Sequence, residues 1–140
     1  MISFLKYSKF KFGDQHVSQF ILFEHKFWFS IIFFYFHKSE VSQDRFHTHA
    51  FNGWSFKLFG QYTEYVLLSK LLSKVKKERR TSFYKFFPKN CYHKIGDSNG
   101  CLTVLFTGAW DETWEEFKDG NTTIYNHNRK TNKIISYEYK

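Results

Sequence analysis

Runs of apolar residues broken by short polar segments dominate the chain. Phe20 to Glu24 and Phe27 to His37 read as two strands, the second apolar on both faces and so central in a sheet. A polar segment, Lys38 to Arg45, leads into Phe46 to Phe51 and then Asn52-Gly53, a strand followed by a hairpin turn signal. Trp54 to Leu68 reads as a strand pair or one long strand bent at Gly60. Between Ser69 and Arg80 the apolar spacing predicts a short amphipathic helix or, equally, the charged tip of a hairpin. Strands resume at Thr81 to Phe87 and Cys91 to Ile95. Gly96 to Gly100 reads as a loop, Leu102 to Phe106 as an apolar strand, Gly120-Asn121 as a turn and Ile134 to Tyr139 as a last alternating strand. About eight short strands with turn punctuation predict an all-β sandwich or barrel.

Composition sharpens this picture. The 140 residues include 19 Phe, 9 Tyr and 4 Trp, more large apolar surface than a disordered chain leaves in water. One domain is expected, its core filled by aromatics. Two cysteines, Cys91 and Cys101, do not make a disulfide framework. With no cleavable signal at the start, a cytoplasmic protein is expected, in the host cytoplasm if viral. The longest apolar run, Phe27 to Phe36, is about half of the ~20 residues needed to span a bilayer, so no membrane partner is expected.

The net charge of +8 would suit a polyanion, but it is built mostly from lysine in a composition that looks like A/T-rich coding. Within Ser69 to Arg80, Lys70, Lys74, Lys76, Lys77, Arg79 and Arg80 face only Glu78. That segment reads as a surface contact with the acidic stretch Asp111 to Asp119, in the same chain or in a homodimer. Nucleic acid ranks below both, since no nucleic-acid motif accompanies the charge.

His47 and His49 are the sharpest chemical feature. Two apart on a strand, their imidazoles share a face and can share a metal ion. His93, delivered by the turn after Pro88, is the candidate third ligand. The plain alternative is three unrelated surface or core histidines. Arg45 can bind a substrate carboxylate or pair with Asp44. Tyr62 and Glu64, two apart on a strand, are candidate hydrogen-bond donor and general base or extra ligand, Glu64 being otherwise a solvated edge residue. Cys91, two before His93, lines the cavity or serves as a small buried hydrophobe. Trp110 and Trp114 gate a pocket or pack a closing turn.

The order His47-Thr48-His49, Gly53, Gly60 and then Pro88-Lys89-Asn90-Cys91-Tyr92-His93 resembles the two sequence motifs of the cupin superfamily. Phe46 to Phe51, with Trp54 to Glu64 and Leu102 to Gly108, is similar to a group of small cupin-like proteins from bacteria and phages. The resemblance runs from about Phe34 to Phe117. It divides the chain into 1–33, N-terminal strands; 34–117, a metal-binding core; and 118–140, a C-terminal turn and strand. It implies a single antiparallel jelly-roll barrel with short terminal extensions. It also implies one divalent transition metal, Fe(II) before Mn, Ni, Cu or Zn, held by His47, His49 and His93. Tyr62 and Glu64 are the implied catalytic residues, with Arg45, Trp54 and Cys91 on the substrate. The expected function is a metal-dependent enzyme, dioxygenase-like or isomerase-like, on a small molecule. The alternatives are a non-catalytic cupin binding a sugar-like or acidic ligand, and a basic nucleic-acid-binding accessory protein. The Glu that cupins usually add to the ligand set is absent, since Gly53 and Trp54 stand where it is expected.

Overall fold

The computed structural model describes residues 2–12 and 14–126. The strand expected at Ile134 to Tyr139 lies outside them. Among the described residues twelve strands form two six-stranded antiparallel sheets. The first sheet runs, in spatial order, β1 (Ile2–Phe12), β2 (Gln15–His25), β3 (Ser30–Phe36), β10 (Cys101–Thr107), β5 (Gly53–Phe59) and β8 (Tyr84–Phe87). The second runs β12 (Asn121–Asn126), β11 (Thr113–Lys118), β4 (Phe46–His47), β9 (His93–Ser98), β6 (Tyr62–Ser69) and β7 (Lys74–Arg79). The sheets face each other as a jelly-roll sandwich. This is the antiparallel jelly roll expected from the sequence, with no backbone ladder joining the two sheets among the described residues.

β3 lies between β2 and β10, as its two apolar faces predict. It crosses the 33/34 boundary, and β1 to β3 complete the sheet that carries β10 and β5 rather than forming a separate extension. Asn52-Gly53 is not a hairpin, because β4 and β5 belong to different sheets and the chain crosses the sandwich there. A second crossing lies between β5 and β6. Gly60 takes φ of +80° there, and a Cβ on it would run into the carbonyl oxygen of Gly100, so only glycine fits the corner. The basic segment is a hairpin, β6 to β7, since Lys74 to Arg79 alternate against β6 with every residue exposed. Gly96 to Ser98, expected in a loop, extend β9, with Gly96 close against Tyr65 and Thr63 of β6.

The aromatic residues do not mainly fill the core. Phe51, Phe87, Phe117 and Tyr62 are buried beside Val17, Ile32, Ile95, Cys101, Val104 and Leu105. Trp54, Tyr84, Phe86 and Phe106 are exposed, clustered through Trp54 on neighbouring strands of the first sheet. Of the basic segment, Lys70 contacts the acidic stretch, lying 3.9 Å from Glu115 and donating to Tyr92 Oη and Thr122 Oγ1. Among the described residues no helix is long and apolar enough to cross a membrane.

Candidate metal centre

β4 is two residues long, yet it sets the site. His47 pairs directly across an antiparallel ladder with His93 of β9, and cross-strand partners bring their side chains together. Their rings lie 4.6 Å apart between centroids. Past the end of β4 the chain is held by Thr48. Its N–H donates to the carbonyl of Glu115 at 2.8 Å, and its hydroxyl accepts from the Glu115 N–H at 2.9 Å. This double tie carries the strand direction on to His49, whose ring stands 5.1 Å from His47 and 5.0 Å from His93. One donor atom from each of the three histidines lies within 4.8 Å of the other two.

His49 Nε2 and His93 Nε2 are 2.9 Å apart. Two imidazole nitrogens this close would be able to share one ion, each offering it a lone pair. Burial, reinforced by the neighbouring histidines, pushes the His47 pKa well below its ordinary value. Burial and His93 lower that of His49 to about 3. Both imidazoles are therefore neutral near pH 7, the state in which they offer a lone pair. His49 stacks on Phe51, and Phe87 leans on His93, giving the cluster apolar walls.

The Glu64 carboxylate lies behind His93. Its Oε1 is 3.7 Å from His93 Nδ1 and accepts from Lys85 Nζ at 2.7 Å. Burial pushes this carboxyl up, but His93 and Lys85 outweigh it and hold the pKa below the usual value. A carboxylate on the Nδ1 side favours the tautomer with its proton there, leaving Nε2 free to face an ion. Lys85 is a residue the sequence did not single out, and no motif marks it.

The three histidines line a cavity of about 240 Å³ between the sheets. Tyr62, Trp110 and Trp114 line it too, so both tryptophans face the pocket, Trp110 against Phe51 and Trp114 stacked on Tyr125. Glu64 does not line it. It is turned instead to Lys85 and the Nδ1 side of His93, and opposite the stretch Tyr62 to Glu64 it is β9 that carries one extra residue. Arg45 is not at the cavity either: it holds Asp44 through two bonds of 2.9 Å and Glu116 through one more. Trp54 is exposed on the outer face against Phe86, and Cys91 lies outside the cavity lining. At Gly53 a Cβ would meet Leu105 Cδ1 at 2.9 Å, so the leucine side chain would have to shift to admit one.

Comparison with solved structures agrees with this architecture. An RmlC-like cupin from Shewanella frigidimarina superposes with a TM-score of 0.53 at 13% identity, over 74% of this chain and 83% of its own. The chain has a cupin fold. Other cupin-fold matches are the DMSP lyase DddQ from Ruegeria pomeroyi and oxalate decarboxylase from Bacillus subtilis. The first has a TM-score of 0.55 at 10% identity over 75% of this chain and 56% of its own. The second has a TM-score of 0.53 at 10% identity, over 79% of this chain but 29% of its own, so the chain spans less than a third of that enzyme. No family model matches the chain, and no curated protein matches it by sequence.

Proposed function

We propose that this chain is a metal-binding cupin in which His47, His49 and His93 hold one divalent first-row transition ion, and that it is a metal-dependent enzyme, dioxygenase-like or isomerase-like, on a small molecule. The observation that carries this reading is the convergence of three imidazoles, two held neutral by burial, on the cavity between the sheets. A lyase and a decarboxylase among the structural neighbours support small-molecule chemistry in such a fold. An all-imidazole set suits Fe(II), the favoured ion, and also Mn(II), Ni(II), Cu(II) and Zn(II). Bound there, an ion would supply a Lewis acid or an oxygen-activating centre. The chain's own part is to keep His47 and His49 unprotonated, to hold His93 in one tautomer through Glu64, and to exclude water with Phe51, Phe87 and Trp110.

Elemental analysis of protein expressed in metal-supplemented medium is expected to find about one equivalent of transition metal, absent from His47→Ala and His49→Ala. Metal-free protein that takes up nothing on titration would overturn the reading. Oxygen uptake after anaerobic reconstitution separates dioxygenase-like from redox-neutral chemistry.

A second reading is a cupin that binds its ligand without transforming it. It is favoured by the cavity lining, which contains no Asp, Glu, Lys or Arg. A His47→Ala variant that loses thermal stability but keeps ligand affinity would select it. The exposed cluster of Trp54, Tyr84 and Phe86 supports a homodimer as part of the proposal, because large contiguous apolar patches mark association surfaces.

A further inference from the structure

One buried cation in the sandwich has no anion beside it. Arg80 follows directly after β7 and is only 3% exposed. Its Nη1 donates to Ser55 Oγ at 2.7 Å and to Tyr62 Oη at 2.8 Å, and its Nη2 donates to the Ser55 carbonyl at 2.7 Å. Its Nε is buried without a hydrogen-bond partner. Every partner is neutral, and no carboxylate among the described residues pairs with it. The contrast with buried Glu64 and Glu116, which are paired with Lys85 and Arg45, is direct. A guanidinium taken out of water without a counter-charge is costly, so a site of this kind favours an anion nearby.

The two hydroxyls show where that anion would sit. Both accept from Arg80, so both protons are aimed elsewhere, and among the described residues neither hydroxyl donates to anything. Ser55 and Tyr62 both line the cavity, although Arg80 does not. Burial raises the Tyr62 pKa further, so the phenol keeps its proton and remains a donor at neutral pH. Hydroxyls that accept from a cation are polarised into stronger donors. No acid lines the cavity to compete for them. The β6 to β9 register sets Val66 opposite His93 and Tyr62 opposite Ser98. The Tyr62 backbone therefore stands four residues along β6 from the position opposite His93, roughly 13 Å of strand.

We propose that Ser55 and Tyr62, backed by Arg80, form a carboxylate-binding end of the cavity, and that the ligand is a small organic acid with an apolar body. This deepens the reading of the cavity as a ligand site. Ile32, Phe34 and Leu105, also in the lining, are apolar and suit such a body. A cavity of about 240 Å³ has room for a small organic acid.

Isothermal titration of the full chain, with and without metal, tests this with hexanoate and the uncharged hexanamide as probes. Hexanoate is expected to bind at least tenfold more tightly than hexanamide. Tyr62→Phe and Ser55→Ala are each expected to weaken hexanoate several-fold and leave hexanamide unchanged. Arg80→Met should remove the preference for the acid. Because that change can also unfold the protein, Tyr62→Phe, which keeps the ring, decides the matter once its circular dichroism matches the parent. Equal affinity for acid and amide, no binding of either, or a Tyr62→Phe variant that binds hexanoate as the parent does would each overturn the proposal. His49→Ala separates it from the metal reading. Hexanoate binding in a variant that has lost its metal supports the carboxylate site, and a chain that never takes up metal but prefers hexanoate refutes the metal reading alone.

Discussion

His49 shows how one residue's surroundings become a property of the whole protein. Its pKa falls from an ordinary 6.5 to about 3 because burial and His93 disfavour its charged form. Below pH 6.5 the unfolded chain takes up a proton that the folded cavity refuses. Stability attributable to His49 is therefore full above pH 6.5 and declines as the pH falls towards 3, by at most about 1.4 kcal/mol per pH unit. His47, lowered by burial in the same direction, adds to the decline. Urea midpoints measured in chelator at pH 7, 6, 5 and 4 are expected to drop more steeply in the parent than in His49→Gln, and parallel slopes would refute this. Glu64→Gln isolates the carboxylate behind His93. It leaves Lys85 without its charge partner, for a cost of about 1–3 kcal/mol in urea unfolding. It is expected also to weaken metal binding by ~10–100-fold, since the tautomer of His93 loses its support. A variant that keeps full metal affinity would make Glu64 purely structural.

At the level of strands, two short irregularities matter more than the long regular runs. The corner at Gly60 carries the chain from the first sheet to the second, against the Gly100 backbone. Gly60→Ala adds both a positive-φ penalty and a backbone clash, so a loss of about 2–4 kcal/mol is expected in denaturant unfolding. The pairing of His47 with His93 was legible because period-two spacing, a proline turn and a glycine corner recur in one order. The irregularity between β6 and β9 was not legible, because alternation read from sequence assumes a regular partner strand, and here β9 carries one extra residue opposite Tyr62 to Glu64. The position of Glu64 was hidden too, since its partner Lys85 comes from the other sheet. Arg80 was hidden for another reason. It ends a run of cations whose other members, Lys74 to Arg79, lie on an exposed strand, and only the second sheet's proximity to Ser55 shows that this one turns inward. Trp54 and Arg45 misled in the opposite direction: sequence proximity to the histidines says nothing about the face a side chain takes.

Over the whole molecule, the exposed charge and the cavity are separate, since no Asp, Glu, Lys or Arg lines the cavity. The basic hairpin is exposed and away from the histidines, so Lys74, Lys76 and Lys77 changed together to Gln are expected to lower salt-sensitive retention on DNA or heparin. Stability should move by no more than ~0.5 kcal/mol, and metal content should stay the same. Loss of metal along with the charge would tie the hairpin to the site. The two sheets meet through side chains instead of a shared ladder: Lys85 of β8 reaches Glu64 of β6, and Arg80 reaches Ser55 of β5. A guest between them therefore acts as a removable cross-brace, and its binding free energy is added directly to the work of parting the layers. At a hundred times its dissociation constant any such guest stabilises the fold by about 2.7 kcal/mol, which moves a domain of this size by several degrees. Heating the protein with one small acid at a time then becomes a means of identifying the natural guest.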